Sequence, residues 1–312
     1  MKRVSHTVRM SLFVVLIGVG IGVGTAGAAA GAAPNPDLTF FADPGIRIDH
    51  AGLACPSVDP ATGLVTLYYE DNLTHRARVA TSANGLVFVP GVEPVQWLDD
   101  PRVLTMPEPD AQGNPIYRRY LREPDGTFVS ESSSDGVHFR RDPGIRYRPQ
   151  PIDRGTIGVY DHFVNDDGAV VLLYIGDMAG VNNVRRAVSE PGDNGTVLQF
   201  DRGDVMGDAS AGGGPNSYVD QKSIRLPDGR RRLFVMRQGT IYSFLGEDDG
   251  TGFVLEDGVR LAPEDFAPLH VRSLHDPWCV RLPDGRYRIY LHGWIEDSDG
   301  GRNAILSATT AR

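Results

Sequence analysis

Helix signals are nearly absent from this 312-residue sequence: 22 prolines and 37 glycines interrupt it throughout. The intervals between them are short and rich in Val, Ile, Leu, Tyr and Phe, which suits strands. Cysteine is scarce too, with only Cys55 and Cys279. That excludes a disulfide framework and leaves one bridge at most. Basic residues are in deficit, 31 Lys+Arg against 40 Asp+Glu for a net charge of −9. Nucleic acid and anionic membranes both require a basic face, so neither is expected as a partner. The sequence lacks compact His/Glu metal-ligand spacing, a Gly-x-Ser-x-Gly elbow and a phosphate-binding glycine loop. No cofactor or catalytic metal is therefore expected, although a structural cation among channel acids stays open.

Long apolar runs are confined to the N-terminal 36 residues. There Lys2, Arg3 and Arg9 precede an apolar, Gly-rich stretch over residues 10–23, and a series of small residues follows over 26–33. This pattern predicts a secretory signal peptide over 1–36. The run is shorter than the ~20 residues that span a bilayer. The expectation is an exported, extracellular protein, free of the membrane once the signal is removed, with residues 37–312 forming a single domain.

That remainder is built by repetition. Phe41-Ala-Asp-Pro-Gly-Ile-Arg47 returns as Phe139-Arg-Arg-Asp-Pro-Gly-Ile-Arg146, with looser copies after Phe88, Phe200 and Phe253. A second phrase aligns without a gap, Val219-Asp220 through Phe234 with His275-Asp276 through Tyr290, and each copy carries a Pro-Asp-Gly turn. Asp-Gly suits a tight hairpin because glycine tolerates positive φ. Each hairpin leads to a third strand and then to a Phe-marked fourth. Four strands in five units predict an all-β, five-bladed β-propeller. The last unit stops at its third strand, so residues 38–48 are expected to supply the fourth and close the ring. Cys55 and Cys279 open neighbouring units of that ring, which admits a disulfide; two free buried thiols are the other outcome. The connection from Asp201 to Ser217 reads as a long surface loop or a lid.

In such a ring the first strand of each blade lines a central channel. Those strands carry Asp49 and Cys55, then Asp100 and Arg102, Asp161 and His162, Asp220 and Lys222, and finally His275, Asp276 and Trp278. Acids brought close together cannot all ionise, so their pKa values separate. Glycoside hydrolysis needs that division, one protonated carboxyl and one carboxylate. Asp161, Asp220 and Asp276 are the expected acid, base and pKa-tuning set. Asp49, Asp100, Arg102, His162, His275 and Trp278 are expected to contact substrate, with Trp278 as an apolar platform.

Several segments resemble the five-bladed glycosidases of glycoside hydrolase families 43 and 32. They are Cys55-Pro-Ser-Val58, Asp100-Pro-Arg-Val103, Phe163-Val-Asn-Asp-Asp-Gly168 and Ser133-Ser-Asp-Gly-Val-His-Phe139. The resemblance implies a carbohydrate substrate, a poly- or oligosaccharide with furanose sugars among the candidates. The sequence also departs from the pattern. Cys55 stands where the resemblance places a base aspartate, and the general-acid glutamate has no counterpart, leaving Asp220 as its substitute by blade position. A non-catalytic sugar-binding propeller, or a lyase or isomerase using His162 and Lys222, are the alternatives. On oligomeric state the sequence is silent.

Overall fold

In the computed structural model, the described residues are 38–311 apart from 156, 179, 181, 208–216 and 299. The expected signal segment and most of the expected lid therefore lie outside the described residues. Among those described, the chain forms five antiparallel sheets and no α-helix.

Blade 1 comprises Ala51–Val58, Val65–Asp71, Arg76–Ser82 and Val89–Pro90; blade 2 comprises Leu104–Thr105, Tyr117–Arg122, Phe128–Ser133 and Arg140–Arg141. Blade 3 comprises Ile157–Val164, Val170–Gly176, Asn183–Val188 and Gln199–Arg202, and blade 4 Val219–Arg225, Arg231–Arg237, Thr240–Gly246 and Val254–Leu255. Blade 5 takes Val271–Arg281, Tyr287–Ile295 and Arg302–Thr310 from the C-terminal end of the chain. Its outer edge is supplied by Phe40–Ala42 and Ile48–Asp49, both antiparallel to Arg302–Thr310. The ring thus closes as the repeats predict.

The core consists of the faces between blades, and period-two alternation assigns each side chain to one of them. On Val170–Gly176, Leu172 packs with Tyr120 and Phe128 of blade 2, while its neighbour Leu173 packs with Leu233 and Phe244 of blade 4. A strand buried on both faces must read as a continuous apolar run, and Val-Val-Leu-Leu-Tyr-Ile does.

The repeated Phe-marked phrase acts as an inter-blade clasp. In three of its copies a buried terminal arginine reaches back to a carbonyl of its own turn and outward to the neighbouring blade. Arg47 bonds Pro44 O and, at 2.9 Å, Leu86 O. Arg146 bonds Pro143 O and, at 2.7 Å, Thr196 O. Arg260 does the same with Asp257 O and Leu38 O.

The cysteines are both free and buried. Cys55 packs beside Trp278 and Tyr68, whereas Cys279 packs among Phe234 and Leu226 of blade 4. Adjacent residues of one strand face opposite ways, so the side that brings Trp278 to Cys55 turns Cys279 away. The bridge that the ring order admits does not form.

A candidate active site at the channel mouth

Bulges organise the inner strands. Register slips by one residue at Gly52/Cys55, Ile157/Tyr160, Val219/Lys222 and His275/Trp278, the same level of four blades. A bulge adds a residue to one strand and re-aims the side chains around it. In blades 4 and 5 the extra turn places Asp220 and Asp276 in left-handed backbone, φ 57° and 50°. Aspartate tolerates that region better than most residues. The gap-free alignment of the two segments therefore has a structural counterpart.

At these bulges Asp220 and Asp276 meet two histidines. The peptide of Asp276 lies beside the Asp220 carboxylate. His275 Nδ1 lies 4.0 Å from Asp220 Oδ2, and His292 Nδ1 lies 3.6 Å from Asp276 Oδ2. The two rings are 5.5 Å apart. These four side chains retain partial solvent access, from 15% for Asp220 to 33% for His275.

The two acids are driven in opposite directions. Burial, then the charge of Asp276, pushes the Asp220 carboxyl up to about 7. For Asp276 burial acts the same way, but the nearby His292, with the charge of His275, outweighs it and holds its carboxyl below the usual range. Burial lowers His292, yet Asp276 overrides it and the imidazole ends up raised. His275 is lowered by burial and by the neighbouring His292 charge. Near neutral pH, Asp276 is a carboxylate beside a histidine whose protonation it favours, and Asp220 still carries its proton in a substantial fraction of molecules.

Below the bulges the channel is filled. Lys222 Nζ donates to Asp100 Oδ2 at 2.6 Å and to Tyr160 O at 2.5 Å. Arg102 pairs with Asp161 and donates to His162 O. Asp161 also accepts from the Ser223 N–H and hydroxyl. Trp278 lies against this floor, its ring centroid 4.5 Å from Lys222 Nζ and 4.8 Å from the Arg102 guanidinium carbon. Burial would raise Asp100, but Lys222 and Arg102 outweigh it and hold the carboxyl far below its ordinary value. Burial takes His162 down to about 4, so it is neutral.

The structure thus sorts the expected site residues into layers. Asp220, Asp276 and His275 share the mouth. Asp100, Asp161, Arg102, His162 and Lys222 form an ion-paired floor with Trp278. Trp278 is buried there under two cations, so its ring is not open as a sugar platform. Asp49 is on neither layer; it sits at the edge of blade 5, paired with Arg302 at 2.7 Å. His292 and Trp294 come from the second strand of blade 5 and lie outside the expected set. The signal that marks them is the alternation Tyr290, His292, Trp294 on one face of the strand, opposite Ile289 and Leu291.

Neither a protein-family model nor a curated protein matches the sequence. Solved structures do share the fold. An α-L-arabinofuranosidase from Podospora anserina, solved with cellotriose, aligns with a TM-score of 0.57 at 12% identity, over 88% of this chain and 98% of that one. For an α-L-arabinofuranosidase from Lactobacillus brevis the values are 0.55, 10%, 86% and 92%. For an endo-arabinase from Bacteroides thetaiotaomicron they are 0.52, 13%, 86% and 95%. At such identities the likeness establishes the five-bladed propeller, in agreement with the repeats.

Proposed function

We propose that this chain is an exported glycoside hydrolase acting on oligo- or polysaccharides that contain furanose or related plant-wall sugars. The single observation that carries the reading is the divided pair at the mouth. Asp220 and Asp276 occupy equivalent bulges of adjacent blades, and their surroundings push their pKa values apart. Asp220 supplies the proton to the departing glycosidic oxygen. Asp276, kept ionised by His292, attacks the anomeric carbon or draws a proton from the attacking water. In the first case water then cleaves the glycosyl ester, giving its proton to the now ionised Asp220 and freeing the Asp276 carboxylate; in the second the proton taken up by Asp276 passes back to Asp220 through solvent. His275 orients hydroxyls beside Asp220. Asp161 and Asp100, tied into the ionic floor, fix the mouth residues from below and carry no proton to substrate. Lys222 and His162 are held in the same floor, which weakens a lyase or isomerase role for them. The substrates named for the structural neighbours, arabinan and arabinofuranosides, set the first compounds to try.

The test is incubation of the protein with arabinan, fructan, xylan and galactan fragments, followed by product analysis. Release of reducing sugar that Asp220→Asn and Asp276→Asn both abolish supports the reading. Glycan binding without any product, over long incubation, would replace it with a non-catalytic sugar-binding propeller.

A further inference from the structure

We infer that Trp294 is a stacking platform for the sugar unit next to the one held by Asp220 and Asp276, which makes the preferred substrate an oligo- or polysaccharide chain. This inference rests on the glycosidase reading for its substrate class.

Strand parity places the indole. On Tyr287–Ile295, the residues Tyr290, His292 and Trp294 share one face, while Leu291 and Gly293 take the other, against Leu306 and the blade 4 interface. The first face looks toward blade 1: Tyr290 packs there with Ala51 and Leu67, and His292 Nδ1 lies close to Gly52. Along this face burial decreases steadily, from Tyr290 at 0% to Trp294 at 39% exposed. Two residues of strand span roughly 7 Å. Trp294 therefore stands about one sugar ring beyond His292, the partner of Asp276, on the same side.

The indole is also held in place. Gly301, with φ +99°, lies so close that a Cβ there would sit 2.9 Å from Trp294 Cζ2. Directly across the sheet are Ser273 and Asn303. Beside them Arg302 pairs with both Asp49 and Asp297. A braced, part-exposed aromatic surface with hydrogen-bonding groups at its edge suits a sugar, whose C–H face is apolar and whose rim carries hydroxyls. Trp278 is buried under cations. Trp97, the remaining tryptophan, sits on the link between blades 1 and 2, outside blades 4 and 5 that carry the two acids.

The experiment compares Trp294→Ala, Trp294→Phe and Trp97→Ala, each in an Asp220→Asn background so that bound sugar is not turned over. Arabino-, xylo- and galacto-oligosaccharides of one to six units are titrated by calorimetry, with intrinsic fluorescence as a second readout. The expected result is that Trp294→Ala weakens binding of two or more units about tenfold and leaves monosaccharide binding unchanged. Trp294→Phe should restore most of the affinity, and Trp97→Ala should have no effect. Equal affinities for Trp294→Ala and its parent across the length series would overturn the inference, as would a complete failure of the parent to bind any of these glycans. The two readings fail separately. Glycan binding that depends on Trp294, combined with no product from the wild-type chain, overturns the hydrolase and leaves the platform standing.

Discussion

Asp220 and Asp276 sit in matching bulges of adjacent blades, and the charge of Asp276 helps to push the Asp220 carboxyl up. Each sits in left-handed backbone that asparagine also tolerates. Asparagine variants at these positions should therefore fold normally. They should lose about 10²–10⁴-fold in turnover, the range for removing a positioned acid or base. Thermal melts alongside rates on a confirmed substrate check both halves of the expectation.

The pH dependence follows from the two shifts. Asp220 must keep its proton, so the rate should fall as pH rises through about 7. Asp276 must stay ionised, so the acidic limb should lie below the usual carboxylate range while His292 is charged beside it. Replacing His292 with Gln removes that charge and should move the acidic limb to higher pH, and the alkaline limb upward as well, because the same charge holds the Asp220 carboxyl down. A kcat/KM profile of wild type against His292→Gln decides this. Parallel loss at every pH would mean that His292 is only packing.

Stability should carry the opposite signature of the same tuning. The folded pKa of Asp220 lies above its unfolded value, so the folded state binds the extra proton between about 4 and 7. That contribution is complete below pH 4 and is lost as pH rises through about 7. An uncharged asparagine at this position has no such loss. Asp220→Asn should therefore gain stability relative to wild type as pH is raised from 5 to 8, by about 2.5 kcal/mol. Denaturation midpoints at several pH values would show a constant difference if the shift were absent.

Much of the fold was legible because a propeller writes the same strand–turn–strand unit repeatedly. The two Pro-Asp-Gly hairpins at 227–229 and 283–285 fix phase and register within their blades, and the leftover N-terminal copy announced ring closure. The layers of the site were not legible. Asp161 and Asp220 both open inner strands, but one lies under the bulge and the other within it, and a one-residue slip in register has no residue signature. Residues on second strands escape for another reason: His292 and Trp294 reach the mouth only because blade 5 turns that face toward blade 1. The cysteines show the same limit, since ring order placed their strands together and parity then separated their side chains.

The floor of the channel should be stable only as a matched set. Lys222 and Asp100 are almost completely buried and 2.6 Å apart. Removing one leaves the other charged in a medium that solvates it poorly. Lys222→Met or Asp100→Asn should each cost about 3–5 kcal/mol, whereas the double variant Lys222→Met/Asp100→Leu should recover most of the loss. Urea melts of the three proteins form a double-mutant cycle with a large coupling energy. Additive losses would mean that the pair does not interact.

The clasp arginines tie the repeated phrase to ring closure. Arg47 holds the N-terminal edge of blade 5 to the Leu86 carbonyl of blade 1, and Arg146 makes the equivalent contact between blades 2 and 3. Each is a cation donating to backbone carbonyls from a mostly buried position, a class of hydrogen bond worth roughly 1.5–3 kcal/mol. Arg47→Ala and Arg146→Ala should therefore lower the denaturation midpoint by similar amounts. Arg230→Ala, which removes only an exposed pairing with Asp228, should leave it unmoved. If the clasp also secures closure, Arg47→Ala alone should speed protease cleavage near residues 38–48, because the edge it releases has no later strand to cover it. Equal cleavage rates in the two buried variants would reduce the clasp to a local brace.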